Sequence, residues 1–256
     1  MNLLKLSPAR HRIQTGRGCE TKSEDTEIEG GVAKILKLKH LAAIRWFHWV
    51  NFPLLFLMIW SGFLIYWAND EYAVSIGSLQ VFHFFPDWVY NALNSGHRLA
   101  EGMALHFVFM WLFVLNGVLY VGYTLFSGEW RDLVPQKWSA FRDAWGVVLY
   151  DLRLRKQLPP QDKYNAAQQI TYTAIICMGI GSVVTGLAIY KPMQLYWLAW
   201  LLGGYEAARL WHFLLALGYV GFFVVHIAQV ARAGWSNFRA MVMGYDIEPA
   251  KEAAHE

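Results

Sequence analysis

The sequence from Arg209 to Arg232 reads RLWHFLLALGYVGFFVVHIAQVAR. Between these two arginines lie 22 residues without Asp, Glu, Lys or Arg. As a helix they are long enough to cross the hydrocarbon layer of about 30 Å, so the stretch is predicted to span a membrane. It contains His212 and His226, and ionisable side chains inside a span are costly enough to indicate a function.

The fourteen-residue spacing of these histidines places them on one helix face at two depths. Fourteen steps of about 100° return to within about 40° of the starting direction, and the helical rise separates the two side chains by about 21 Å. Neutral imidazole is a common ligand of haem iron, and facing helices of a bundle hold such cofactors. The alternative is that both histidines hydrogen-bond to neighbouring helices.

Composition excludes an ordinary soluble domain. The chain has 256 residues, of which 56% are hydrophobic, 16% aromatic and only 16% charged, which is typical of a polytopic membrane protein. The formal net charge of +3 is small, and no nucleic-acid partner is expected. The two cysteines, Cys19 and Cys177, provide neither a disulfide framework nor a Cys-x-x-Cys-His motif for covalent haem.

The apolar runs predict an all-α membrane protein, a bundle of four transmembrane helices with short interfacial helices between them. A mobile polar leader over residues 1–31 and a polar tail over 245–256 flank a membrane domain over 32–244. The third span has no histidine and several small residues, so it is predicted to serve packing. The four spans are expected at about 46–67, 102–126, 164–190 and 210–231.

The distribution of basic residues predicts the orientation. All but three of the 22 Lys and Arg residues lie in the first 45 residues, in the loop over 129–163 and in the segment from Arg232 onward. By the positive-inside rule, both termini are therefore cytoplasmic.

Two other spans also carry a histidine. His48 lies near the basic end of the first span, and Gly62 follows fourteen residues later on the same face. In the second span His106 lies deeper than His97, which points to nearly the opposite face, so His106 is the expected inward-facing residue. Gly117, eleven residues on, returns to the His106 face. Both glycines leave room for a flat macrocycle, although glycine also serves close helix packing.

With this topology the four histidines form two level pairs. His48 and His226 lie toward the cytoplasm and are called the inner pair here; His106 and His212 lie toward the outside and are called the outer pair. Each pair is predicted to bind one haem iron from opposite sides, which gives two b-type haems with bis-histidine iron across the membrane.

Two arginines accompany these histidines. Arg45 and Arg209 each lie three residues before a histidine, His48 and His212, and one turn nearer the membrane surface. Each guanidinium is a candidate partner of a haem propionate, and the alternative is anchoring of the helix end at the interface.

The chain resembles the four-helix di-haem cytochrome b family. That family includes bacterial cytochrome b-561 and the cytochrome b subunits of thiosulfate reductase, formate dehydrogenase and nickel-iron hydrogenase, and the thiosulfate-reductase-like subunits are the most similar. The stretches that carry the resemblance are Arg45 to Asn51 with Ser61-Gly62, His106 to Tyr120, Tyr164 to Tyr172, Arg209 to Phe213, and Asn237 to Gly244.

The resemblance implies a function as well as a fold. It implies that the four histidines are axial ligands and that the chain is a multi-pass subunit of the bacterial inner membrane. Such subunits transfer electrons in a respiratory chain between membrane quinone and a partner redox subunit, which is a molybdenum enzyme, a hydrogenase or a soluble cytochrome. No catalytic residue is assigned.

Three points stay open at this stage. Asn51, Gln168 and Gln169 are candidates for the quinone site, and helix-to-helix hydrogen bonding explains them equally well. A stand-alone cytochrome b quinone reductase without a partner subunit is one alternative function. A proton or solute transporter that uses these histidines is another, and it predicts a colourless protein.

Overall fold

A computed structural model describes residues 26–29, 32–68, 73–76, 79–83, 87–93, 98–157, 159 and 164–249. They form two compact units, one from Ala42 to Ala233 and one made of the described residues up to Leu41 and from Gly234 on. In chain order the elements are β1 Thr26–Glu29, β2 Val32–Leu38, α1 Ala42–Trp67, β3 Ala73–Ile76, β4 Leu79–His83, α2 Asp87–Leu93, α3 Leu99–Ser127, α4 Trp130–Leu133, α5 Ser139–Asp151, α6 Ala166–Tyr190, α7 Tyr196–Leu201, α8 Tyr205–Met243 and β5 Tyr245–Pro249.

Four helices, α1, α3, α6 and α8, are long and apolar enough to cross a membrane. The predicted four-span helical membrane fold is therefore confirmed. The helix α8 begins at Tyr205 and ends at Met243, so it is longer than the fourth predicted span, 210–231. At Gly234 the backbone turns to φ 82° and ψ 175°, which is not helical and which glycine adopts without a steric penalty. This break lies just beyond the apolar stretch.

Local sequence signals position the ends of the helices. At the start of α6 the Asn165 side chain accepts a hydrogen bond from the backbone N–H of Gln168 at 2.8 Å. The Gln168 side chain in turn accepts from the Asn165 N–H at 3.0 Å. This capping box satisfies two N–H groups that the helix itself leaves without partners.

The helices α1 and α3 pack closely at Gly102, which is buried. A Cβ atom added at Gly102 would lie 2.9 Å from the Cβ of Leu64 and 3.1 Å from the carbonyl oxygen of Ser61. Only glycine allows this approach, as is common where membrane helices cross. Large apolar side chains elsewhere on α3, such as Val118 and Leu119, are exposed, which suits contact with lipid.

The helix α5 is held at one end by α8. The Asp151 carboxylate accepts a hydrogen bond from Gln229 at 2.9 Å and pairs with Arg232 at 3.2 Å. Phe141 and Trp145, one turn apart on α5, are exposed. An exposed aromatic stripe beside basic residues suits a helix that lies at the membrane interface.

Several short strands were not predicted. In the unit from Ala42 to Ala233, β3 and β4 form an antiparallel hairpin with an irregularity between Val74 and Ser75. An alternating apolar pattern in a short segment does not separate a strand from an amphipathic surface helix. The predicted interfacial segments therefore comprise a hairpin and short helices.

The other unit contains a three-stranded antiparallel sheet in the order β1-β2-β5. The registers pair Thr26 with Ile35 and Leu38 with Tyr245, and the Lys39 ammonium donates to the Asn237 side chain at 2.6 Å. The domain boundaries at 31/32 and 244/245 stay predictions. The sheet joins β1, from the predicted leader, and β5, from the predicted tail, to β2, which is inside the predicted membrane domain. Most of the predicted leader, up to residue 25, lies outside the described residues.

Candidate metal centres at two levels of the bundle

The structure brings the four intramembrane histidines together as two pairs. The ring centres of His106 and His212 are 6.2 Å apart, and those of His48 and His226 are 6.1 Å apart. All four side chains are half-buried, and His97 lies outside the described residues. These are the pairings that the level arrangement predicted, and their role as iron ligands stays a prediction.

Both ring separations fit a metal ion held between two imidazoles. A metal–nitrogen bond is about 2 Å long and the ring centre lies about 1.1 Å beyond the nitrogen, so two opposed ligands place their ring centres about 6.2 Å apart. Rotation about the metal–nitrogen bond leaves the angle between the ring planes free. The angles of 76° in the outer pair and 53° in the inner pair are therefore both compatible with ligation.

Each pair supplies two nitrogen donors from facing helices. Within the part of the chain that the structure describes, no three His, Cys, Asp or Glu side chains converge on one point. A metal at either pair would take its remaining ligands from a non-protein group. A haem, whose macrocycle fills four positions and leaves two axial ones, fits this donor set.

Two hydroxyl side chains contact the outer pair. The Ser61 oxygen on α1 lies 2.9 Å from Nδ1 of His106, and the Thr185 oxygen on α6 lies 2.8 Å from Nδ1 of His212. Both hydroxyl residues are buried. The helix α6, which was predicted to serve packing alone, thus contacts a candidate ligand.

These hydroxyl contacts were missed by sequence reasoning. Serine and threonine in a helix commonly bond to the carbonyl groups of their own preceding turn, so neither residue alone stands out. The signal that was available is a repeated pattern of a hydroxyl residue followed by glycine, Ser61-Gly62 on α1 and Thr185-Gly186 on α6.

Glycines lie beside both outer rings. An added Cβ would be 3.7 Å from Cε1 of His106 at Gly62 and 3.4 Å from Cε1 of His212 at Gly186. Gly62 is therefore at the outer level, as its spacing from His48 predicted. At Gly117 an added Cβ would meet nothing within 4 Å, so this position leaves open space.

Aromatic rings contact both histidines of the inner pair. The ring of His226 stacks on Phe222 with centres 5.4 Å apart and planes inclined by 22°. The His48 ring meets the Trp49 ring edge-on at 5.2 Å. Next to this pair Phe52 of α1 stacks on Phe223 of α8 at 5.9 Å, and this layer lies on the side toward the outer pair.

The two predicted arginines lie at the helix ends. The guanidinium of Arg209 donates to the Glu206 carboxylate at 3.0 Å and lies 5.8 Å from the centre of the Tyr205 ring. Arg45 is half-buried, one turn before His48. Their role toward a propionate stays a prediction.

The quinone candidates all make structural hydrogen bonds. Asn51 accepts from Asn116 of α3 at 3.5 Å, Gln168 forms the capping box of α6, and Gln169 donates to the carbonyl oxygen of Asp132 at 3.0 Å. These contacts favour helix-to-helix bonding for Asn51 and Gln169, and helix capping for Gln168.

Comparison with known proteins identifies the family. The family described as Prokaryotic cytochrome b561 matches residues 39–244. A relative from Azospira oryzae, named Putative protein-methionine-sulfoxide reductase subunit YedZ1, is 32% identical over 193 residues, which cover 75% of this chain and 89% of the relative.

The family match spans all four membrane helices and both histidine pairs, and it confirms the predicted family. The finer resemblance to thiosulfate-reductase-like subunits stays a prediction. The chain belongs to the prokaryotic cytochrome b561 family, and it is a multi-pass membrane protein that binds b-type haem and transfers electrons.

Proposed function

We propose that this chain is a di-haem subunit that transfers electrons across a bacterial inner membrane, between quinone and a partner redox subunit. The observation that carries the proposal is the pair of histidine contacts, with ring centres 6.1 Å and 6.2 Å apart. On α8 the two ligands, His226 and His212, are separated by fourteen residues, or about 21 Å of helix.

The side chains of the bundle would supply ligation and orientation. Haem iron held by two imidazoles supplies reversible one-electron transfer. His48 and His226 would hold the inner haem, and His106 and His212 the outer one. Stacked aromatic rings between α1 and α8, such as Tyr66 on Phe213 at 4.6 Å, would give these positions apolar walls.

The two arginines would bind the propionates. A carboxylate at the membrane surface needs a cationic partner, and a guanidinium forms strong charge-assisted hydrogen bonds with it. Arg45 serves the inner level and Arg209 the outer level. The Glu206 carboxylate, 3.0 Å from Arg209, would keep that guanidinium in place at the helix end.

The partner is proposed to be a redox subunit that exchanges electrons with one end of the bundle. The relative from Azospira oryzae is named as a subunit of a putative methionine-sulfoxide reductase, which supports a subunit role over a stand-alone quinone reductase. The basic loops support cytoplasmic termini.

The first test is a visible spectrum of detergent-purified protein, reduced with dithionite minus oxidised, with haem quantified per chain after extraction into pyridine. Two b-type haems per chain are expected, because each histidine pair offers both axial ligands. One haem would contradict the role of one pair. A haem-free protein, expressed with adequate haem supply, would contradict the proposal and favour the transporter alternative.

Quinone linkage needs a separate measurement. Addition of a quinol to the oxidised protein in membranes should reduce the haems at a rate that a stopped-flow instrument can follow. If dithionite reduces the haems but quinol does not, the quinone assignment is contradicted and the haem assignment stays intact.

A further inference from the structure

The same two-residue unit supports both rings of the outer pair. Ser61-Gly62 on α1 faces His106 of α3, and Thr185-Gly186 on α6 faces His212 of α8. In each unit the hydroxyl contacts Nδ1 of the ring and the glycine lies beside Cε1. Two separate helix pairs therefore present the same atoms to the two histidines of one metal position.

The hydrogen of each hydroxyl already has an acceptor. Ser61 donates to the carbonyl oxygen of Met58 at 3.1 Å, and Thr185 donates to that of Gly181 at 2.7 Å. A hydroxyl has one hydrogen and two lone pairs, so while its hydrogen goes to the carbonyl its oxygen accepts from the ring nitrogen. In this arrangement Nδ1 of each histidine carries the imidazole hydrogen.

A neutral imidazole has one N–H, so a hydrogen on Nδ1 leaves the lone pair on Nε2. Nε2 is the nitrogen that can bind a metal between the two rings. Water cannot replace the hydroxyls easily, since Ser61 is 0% and Thr185 is 3% exposed. The two hydroxyls therefore favour the Nδ1–H tautomer of both rings, together with the backbone at Met58 beside His106 and at Ser182 beside His212.

We infer that Ser61 and Thr185 are positioning residues that fix the Nδ1–H tautomer of His106 and His212 and set the reduction potential of the outer haem. The inference rests on the proposed function for the haem. An acceptor at Nδ1–H makes Nε2 a stronger electron donor, as partners in the outer shell of metal sites do. A stronger donor stabilises the oxidised iron and lowers the potential.

The test uses full-length protein with Ser61→Ala and Thr185→Val, each of which removes the acceptor and keeps most of the volume. Redox titration followed at visible wavelengths should show the outer haem shifted to higher potential. We expect up to a tenfold change in the ratio of reduced to oxidised iron, or about 59 mV for one electron. The inner haem should not shift. Ser61→Thr and Thr185→Ser should restore the wild-type potential.

Thr171→Val is the matched control. The Thr171 hydroxyl on α6 donates to the Ala167 carbonyl at 2.8 Å, the same backbone bond that Thr185 makes, four residues back along the helix. Its removal should move neither potential. An unchanged outer potential in both Ser61→Ala and Thr185→Val, or a shift confined to the inner haem, would overturn the inference.

A second readout does not need the haem. In protein prepared without haem, with ¹⁵N-labelled histidine, nitrogen chemical shifts distinguish Nδ1–H from Nε2–H. In the wild type His106 and His212 should both be Nδ1–H tautomers. His106 should become a mixture of tautomers in Ser61→Ala, and His212 in Thr185→Val. Wild-type Nε2–H rings would refute the inference, whereas absence of haem from the protein purified from cells would refute only the proposed function.

Discussion

The outer and inner histidine pairs have the same ring separation but different surroundings. His106 and His212 each meet a buried hydroxyl at Nδ1, whereas aromatic rings, Trp49 and Phe222, pack on the rings of the inner pair. The distance between two ligands follows from helix spacing, which packing sets. The tautomer and orientation of each ring depend on separate side chains, so two similar metal positions can differ chemically.

The helix α8 contributes one histidine to each pair, and its partners differ. At the outer level the opposing histidine comes from α3, and the hydroxyl contacts come from α1 and α6. At the inner level the opposing histidine comes from α1, and Phe52 stacks on Phe223 on the side toward the bundle centre. The outer pair thus has contacts from all four spanning helices.

The largest effect should come from removing one ligand at each level. His212→Ala should abolish the outer haem and His226→Ala the inner one, since a single imidazole leaves the iron with one axial position empty. Haem per chain should fall from two to about one in each variant. The potential of the haem that remains should identify which level was lost.

Double variants test which two histidines share one iron. His48→Ala combined with His226→Ala should keep one haem, because both changes affect the same iron, whereas His48→Ala with His212→Ala should leave none. His97→Ala is the control and should keep both haems. Retention of one haem in the His48/His212 double variant would show that the ligands pair differently.

The four spans and the ligand candidates could be predicted from the sequence because both depend on strong, local signals. A run of 22 uncharged residues is too long for most helices of soluble proteins, and two histidines fourteen residues apart within it share one helix face. The roles of Ser61 and Thr185 could not be predicted, since their partners are on other helices. The pairing of β2 with β5 could not be predicted for a similar reason, because it joins Val32–Leu38 to residues about 200 positions away.

An intermediate effect is expected from adding bulk at the inner level. From its spacing to His106, Gly117 of α3 is predicted to face the level of the inner pair, and nothing lies within 4 Å of an added Cβ. Gly117→Val should leave the fold intact and hinder the edge of the inner haem. We expect about tenfold weaker retention of that haem, comparable with loss of an outer-shell partner, measured by transfer to excess apomyoglobin.

Gly122→Val is the matched control for Gly117→Val. It places the same side chain on the same helix, again with nothing within 4 Å of the added Cβ. Five residues further on, it points about 140° away from the Gly117 direction. Both haems should be retained as in the wild type. Equal loss of haem in the two variants would mean that α3 is perturbed generally and that Gly117 does not face the inner haem.

The smallest effect concerns the amide contact near the inner pair. Asn51 lies one turn from His48 and accepts from Asn116 at 3.5 Å, the long limit of a hydrogen bond. If this contact only joins α1 to α3, Asn51→Leu and Asn116→Leu should each cost about 0.6 kcal/mol, a typical value for such a bond in a membrane. Thermal unfolding followed by the haem absorption band would measure the cost, and the double variant should lose no more than either single one.

Quinol kinetics then decide whether Asn51 has a second role. A structural contact predicts that both variants are reduced by quinol at the wild-type rate, because neither residue touches the substrate. A quinone contact predicts a slower rate in Asn51→Leu alone, since Asn116 is buried and 8% exposed. Slow reduction of the inner haem with normal stability would place quinone at the level of His48 and His226. It would thereby assign different tasks to the two pairs, exchange of electrons with quinone at one and control of potential at the other.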